Sequence, residues 1–534
     1  MAQTNKKQTF LHGAMLLAMA TAIVKLIGAF YKIPLKMVIG DQGYGYFITA
    51  YDIYAVLLMI STAGLPVAMS RMISQASSLG NSRQVRRVYT VSRAIFFGLG
   101  LISCLLMVVF AHELAGFLGQ PDAWAAIAML GPCALFVGIM STYRGFFQGQ
   151  GNMKPTSVSQ VIEAAVKLVV GLVAAFAVMR YTNDVGLAAA GAILGVSVSC
   201  LISVFYLSAK FTPEYRSLPK DGEDALSYGQ VAKGLLAIAV PITIGAAGLQ
   251  ILTVIEQSLY MGQLLTANGL SQEAADIQKG IYSMTMTIYN MPCAFIVPIT
   301  VSIIPAITSN LTLCDDRGVK ATEESAARVT GLIALPCAVG LTLMARPVMA
   351  LLGGYSAERL DLAQKLMAVL GVCIFLYAIV QYTNAVMQAH GKAHIPVINM
   401  LLSGGIKLAV VYVLAGNPNV GILGAPIGAL LCDLCIAVLN LICIRWFVPQ
   451  RPALIKNLLR PIVPAAIMGA AVFASNWGLQ QLLGADASRV LLCAIPIAIG
   501  AIVYCVCAVV CKVITKEDCQ LLPKGDKIAR FLHL

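Results

Sequence analysis

Charged side chains set inside apolar runs are the residues of this chain with chemistry to perform. Lys25, Asp52, Arg71, Arg144, Glu163, Lys167, Lys407 and Asp433 all interrupt stretches rich in Leu, Ile, Val, Ala and Gly. Ammonium and guanidinium groups grip phosphates and carboxylates. A carboxylate beside a cation can exchange that partner for a proton or a sodium ion. A charge in hydrocarbon costs about 2.5–3.5 kcal/mol on insertion scales, so each of these groups is expected to face a cavity or a partner. Glu163 and Lys167 are four apart and share a helix face. Arg144 should lie level with Glu163 across the hairpin at 148–155, giving a cluster that is either a structural network or part of a binding cavity. Lys25 and Asp52 come at comparable depths on successive helices, where they either neutralise each other or leave Lys25 to meet a phosphate. Arg71 is near the inner end of its run and either snorkels to the surface or joins the site. Lys407 and Asp433 fall near mid-depth on consecutive helices, as a buried ion pair or as a coupling device.

The elements that must position these groups follow from composition. Of 534 residues, 11% are charged and 59% hydrophobic, with a mean hydropathy of +0.82. Soluble proteins carry about 25% charged residues, and a single core stops growing near roughly 250–300 residues. A bilayer core of about 30 Å takes about 20 apolar residues per helix. On that measure spans are expected at 11–31, 47–72, 91–111, 125–147, 156–179, 186–209, 231–260, 282–307, 329–352, 362–389, 395–415, 421–444, 459–483 and 490–512. The fold expected is an all-α polytopic membrane protein of about fourteen helices. Placing the N-terminus in the cytoplasm puts most of the 37 Lys and Arg on the inner side, with both termini inside a bacterial plasma membrane. The net charge of +13 then faces anionic lipid and needs no nucleic acid. The run from Leu11 is too long for a signal peptide h-region, so no cleavable leader is expected. The fifteen cysteines are scattered through apolar sequence as small hydrophobes, with Cys432 and Cys435 spaced as C-x-x-C inside a helix. Neither a disulfide framework nor a metal site is expected.

The chain also repeats itself. Tyr143-Arg-Gly-Phe-Phe-Gln148-Gly-Gln-Gly151 leads through a short Pro-bearing loop to Lys167, as Tyr382-Thr-Asn-Ala-Val-Met-Gln388-Ala-His-Gly391 leads to Lys407. Gly64-Leu-Pro66-Val-Ala-Met-Ser70 likewise matches Ile304-Pro305-Ala-Ile-Thr-Ser309. The repeat predicts an N-terminal lobe at 1–210, a polar cytoplasmic linker at 211–230, a C-terminal lobe at 231–445, two further helices at 446–512 and a tail at 513–534. Parallel repeats of this kind place a substrate cavity at their interface. In register, Arg71 corresponds to Asn310, Arg144 to Asn384 and Glu163 to Ser403, so an anionic head group is expected in the first lobe. Helix breakers at Gly64/Pro66, Pro298/Pro305 and Gly340/Pro347 fit a machine that moves.

The stretches Lys25-Leu-Ile-Gly28-Ala-Phe-Tyr-Lys-Ile-Pro34, Ser61-Thr-Ala-Gly-Leu-Pro66 and Arg144-Gly-Phe-Phe-Gln-Gly-Gln-Gly151 resemble the stage V sporulation protein B branch of polysaccharide transporters. That branch is related to the MurJ-type lipid II flippases of the multidrug/oligosaccharidyl-lipid/polysaccharide exporter superfamily. The resemblance implies two six-helix lobes around a cavity, two trailing helices that form a lipid groove, and alternating access that moves a lipid-linked, pyrophosphate-bearing saccharide outward. It also implies a cationic role for Lys25. The substrate-binding set expected is therefore Lys25, Arg71, Arg144, Glu163 and Lys167, with Asp52, Lys407 and Asp433 as coupling candidates. No cofactor is expected beyond a coupling ion, H⁺ or Na⁺, or the membrane potential; a monomer is expected. The rival within the superfamily is a multidrug or cation antiporter, which would rely on acidic cavity residues. A scaffold for envelope or spore-coat synthesis would leave no chemical signature. Catalysis is not expected: His12, His112, His390, His394 and His533 are dispersed, and His390 and His394 share a hairpin with no matching carboxylate in sequence.

Overall fold

The computed structural model describes residues 2–62, 64–219, 226–355, 357–450, 452–483, 488–511 and 513. Among them there is no strand, only helices joined by short turns. The chain divides into two compact units, Met1–Leu265 with Gly269–Gly280, and Thr266–Asn268 with Ile281–Leu534.

Unit 1 contains α1 (Ala2–Thr62), α2 (Leu65–Ser78), α3 (Ser82–Val109), α4 (Ala111–Phe117), α5 (Trp124–Gly149), α6 (Lys154–Thr182), α7 (Val185–Ser217) and α8 (Tyr228–Thr266). A ninth helix, α9 (Gln272–Thr312), begins in unit 1 and continues in unit 2 beyond Gly280. The stretch 32–46 reads in sequence as a connection between two spans. The structure corrects this: helix runs on both sides of a single kink at Gly40, whose φ of 69° suits glycine. Lys36 and Asp41 straddle the kink as a 3.1 Å ion pair, which stabilises helix where a glycine-rich loop is expected. α3 and α7 start on side-chain caps, Asn81 accepting from the Gln84 N–H and Asp184 from the Leu187 N–H, each at 2.9 Å. α6 and α7 meet where Gly171 faces Gly195; a Cβ on Gly195 would lie 2.3 Å from the Gly171 backbone. Small residues at such crossings let membrane helices approach closely.

α7 runs past 210 into the stretch expected as linker, to Ser217, because Phe211 and Tyr215 stack on Tyr89 of α3. Arg86 of α3 donates to the carbonyls of Tyr215 and Leu218, and Arg87 to that of Leu226. The Leu226 N–H donates to Gln84 Oε1 at 2.9 Å. Both stems of the α7–α8 connection are thus tied to the first turns of α3.

Unit 2 holds the rest of α9, then α10 (Asp316–Leu343), α11 (Ala345–Leu352), α12 (Ala357–Ala389), α13 (His394–Ala415), α14 (Gly424–Phe447), α15 (Leu454–Leu459), α16 (Ile462–Leu483) and α17 (Arg489–Val510). The repeat is visible within each unit. α3 and α10 have 28 residues each, both start on a side-chain cap, and each is followed by a short helix, α4 or α11. The pairs α3–α5, α5–α7 and α6–α7 pack in unit 1 as α10–α12, α12–α14 and α13–α14 do in unit 2. By length and apolar composition, ten helices among the described residues suffice to cross a membrane, so the chain is a multi-pass membrane protein; the count of fourteen stays an expectation. One reading from the sequence is overturned: His390 does have a carboxylate, with Nε2 2.7 Å from Glu323 Oε1 of α10. The partner lies 67 residues away, beyond the reach of local spacing.

Gly195→Ala should lower the thermal midpoint of the detergent-solubilised protein, at the upper end of the about 1–3 kcal/mol that overpacking costs. Gly98→Ala, whose Cβ meets nothing within 4 Å, should not lower it and should raise it, on the scale of the about 0.5–1 kcal/mol that alanine gains over glycine inside a helix.

Candidate functional site

The interior of unit 1 carries the concentration of charge. Arg144 on α5 reaches α6, with one guanidinium nitrogen 3.0 Å from Glu163 Oε2 and Nε 3.0 Å from Ser159 Oγ. Their side chains are 17% and 29% exposed, so the pair is not sealed. Ser203 of α7 donates to the Ser159 carbonyl and completes the junction of three helices. The hairpin at 148–155 brings Arg144 and Glu163 level, the arrangement its length suggests. Lys167, one turn beyond Glu163, holds its ammonium 5.9 Å from the centre of the Tyr31 ring. Tyr31 itself donates to the Ala192 carbonyl at 3.3 Å.

A second charged group gathers around Asp52. Asp52 is 3.4 Å from Lys279 Nζ, at the start of α9. Lys32 is close enough to feel both the Asp52 and the Lys167 charges. Lys279 also donates to Gln257 at 2.8 Å, lies 5.5 Å from the Tyr260 ring centre and feels the Glu256 charge. Tyr51 and Tyr54 connect the two groups: Tyr54 touches Cys133, Cys133 touches Cys200, and both tyrosines sense Glu163. Lys25 lies on α1, but its side chain falls outside those described. Arg71 is an exposed side chain on α2.

Lys32 and Lys279 escaped the sequence reading because both fall just beyond the expected spans, in stretches taken for connections. The signal that finds them is the kink at Gly40. It keeps Lys32 and Asp52 on one continuous element and gives α9 a partner before its apolar run begins.

Unit 2 presents the same helices with different chemistry. Asn384 replaces Arg144, and its Oδ1 accepts from Asn440 Nδ2 at 2.8 Å. Asn440 also donates to Thr383 at 3.0 Å and accepts from Asn399 at 2.9 Å. Ser403, in the place of Glu163, is fully buried beside them on α13. Where unit 1 has an open ion pair, unit 2 has a closed amide network. Lys407 and Asp433, both half-buried, sense each other's charge, and Gly428 packs against Lys407.

The family described as polysaccharide biosynthesis protein matches residues 10–311. The chain is similar to stage V sporulation protein B of Bacillus subtilis (strain 168), 26% identical over 523 residues, covering 97% of this chain and 98% of that protein. It is similar also to lipid II flippase MurJ of the same strain, 24% identical over 521 residues, covering 93% and 94%. Among solved structures, an inward closed conformation of lipid II flippase MurJ superposes with a TM-score of 0.69 at 13% identity, covering 93% of this chain and 98% of that one. An inward-facing multidrug resistance MATE family transporter of the MOP superfamily gives 0.65 at 16% identity, covering 80% and 97%. At these identities the structures establish a shared fold.

Glu163→Gln should cost about 1–3 kcal/mol of stability by removing the charged partner of Arg144. The double change of Arg144 and Glu163 to Met should cost less, as a thermal melt of each variant would register.

Proposed function

We propose that this chain, which belongs to the polysaccharide biosynthesis protein family, carries a lipid-linked saccharide with a pyrophosphate group across the bilayer by alternating access. The observation that carries the reading is the charge inside unit 1. Lys32, Lys167, Lys279 and Arg144 gather there with Asp52, Glu163, Glu256 and Asp276, and Lys32 and Lys167 repel each other. Two ammonium groups that repel each other are completed by an anion, and ammonium groups serve as point charges for phosphate. The neutral copy in unit 2 leaves that anion to unit 1. One of the two Bacillus relatives is named a lipid II flippase, which supports this substrate class. Lys25 and Arg144 are assigned to the same site, with Lys167 held ready by the Tyr31 ring. Both termini are assigned to the cytoplasm from the distribution of Lys and Arg.

No step needs a nucleotide in this scheme. A moved elementary charge is worth about 2.3 kcal/mol per 100 mV, enough to bias a cavity that resets with its cations. Asp433, beside Lys407, is the assigned coupling carboxylate for a proton or sodium ion.

Four measurements test the reading. Vesicles containing the protein should protect a labelled polyprenyl-pyrophosphate saccharide from an external probe, and the chain should rescue a conditional lipid II flippase null. Failure of both, with robust export of organic cations, would give the site to an antiporter instead. Lys32→Ala, Lys25→Ala and Arg144→Ala should each reduce translocation by about tenfold or more at normal membrane levels, the scale of one lost charge-assisted hydrogen bond. Full activity in all three would remove these cations from the site. Asp433→Asn should slow transport and flatten its dependence on pH or sodium; an unchanged dependence would make Asp433 a structural counter-ion.

A further inference from the structure

At the start of α9 the buried polar groups form one unbroken string. Lys279 Nζ donates to Gln257 Oε1 at 2.8 Å, and Gln257 Nε2 donates to Thr49 Oγ1 at 2.8 Å. The Thr49 hydroxyl donates to Gln120 Oε1, and Gln120 Nε2 donates to Asp276 Oδ1 at 3.0 Å. Thr49, Gln120, Gln257, Asp276 and Lys279 are all buried. An ammonium can only donate and an ionised carboxylate can only accept, so the two ends fix the direction of both amides and of the hydroxyl. Every bond therefore points the same way, from cation to anion, and each polarises the next.

The path has a particular shape. Lys279 and Asp276 are one turn apart on α9, so the string leaves that helix at one residue and returns to it at the other. Between them it passes through α8, α1 and the turn ahead of α5. Asp276 is held further by Tyr46, whose hydroxyl donates to Oδ2 at 2.8 Å, and by Gln272, which donates to Oδ1 at 2.9 Å and to the Gly119 carbonyl at 2.6 Å. The first turn of α9 thus depends on the state of an ammonium three residues along it.

We propose that the string is a relay that reports occupancy of Lys279 to the first turn of α9. An anion that engages the ammonium competes with Gln257 for its charge, so the first bond weakens. The loss of polarisation then passes through Thr49 and Gln120 to Asp276, and the turn bearing Asp276 and Gln272 loosens. Within the string only Lys279 meets the anion; Gln257, Thr49 and Gln120 are positioning residues. The relay rests on the anionic reading of the unit 1 site.

Hydrogen exchange of the amides at 272–280 tests it, with inorganic pyrophosphate as the probe and calorimetry to record its binding. Saturating pyrophosphate should speed exchange there about fivefold in the wild type, the effect of one lost hydrogen bond on a local opening. Thr49→Val breaks the string at its middle: pyrophosphate should still bind, while the amides no longer respond. Thr49→Ser keeps the hydroxyl and should restore the response, which separates the relay from a general loosening of the fold. Pyrophosphate binding with unresponsive wild-type amides, or an equal response in Thr49→Val, overturns the relay. A silent calorimeter with wild-type protein overturns the anion site, and the relay falls with it.

Discussion

A lysine ammonium withdrawn from water must find a carboxylate, an aromatic face or a set of dipoles, because burying it alone is among the most expensive things a protein can do. Lys279 has all three: Asp52 at 3.4 Å, the Tyr260 ring at 5.5 Å and the Gln257 amide at 2.8 Å. They come from α1 and α8, while the lysine sits on α9. The need to satisfy one buried charge therefore draws three elements of unit 1 together. Backbone contact shows how close: a Cβ on Gly280 would overlap the Asp41 carbonyl oxygen at 1.7 Å.

The two units solve the same packing problem by different chemistry. In both, one helix sends a polar side chain across to its neighbours, from Arg144 in unit 1 and from Asn384 in unit 2. Amides carry donor and acceptor together, so Asn384, Asn399 and Asn440 can satisfy one another without net charge. Arg144 and Glu163 also cancel, but the neighbouring lysines do not, and repulsion between Lys32 and Lys167 is left in the structure. A duplicated scaffold with one neutral copy and one charged copy is polarised without any change of fold.

Much of this was legible in the sequence. The helical class, the internal repeat and the Arg144–Glu163 pairing rest on local quantities: apolar run length, a constant offset and a short hairpin. The Asn384 and Ser403 counterparts follow from the same offset and sit on the matching helices. What was not legible depends on partners distant in the chain. Asp52 and Lys279 are 227 residues apart, and Glu323 and His390 are 67 apart. The helix at 32–46, between two expected spans, was not legible either. Gly43 and Gly45 sit at close crossings, where a Cβ would lie 2.7 Å from the Val185 side chain and 3.2 Å from the Asp276 carbonyl oxygen, while Gly40 takes the positive φ of the kink.

The anchoring of the α7–α8 connection bears on how this chain can vary. Because Arg86, Arg87 and Gln84 fix both stems, Leu218 and Leu226 hold a gap of set width between them. Closing such a gap with twice as many residues costs about 0.6 kcal/mol of chain entropy. Insertions at that point should be nearly neutral, whether from evolutionary drift or from a grafted tag. The same insertion next to Gly280 would fall on backbone that has no room to move.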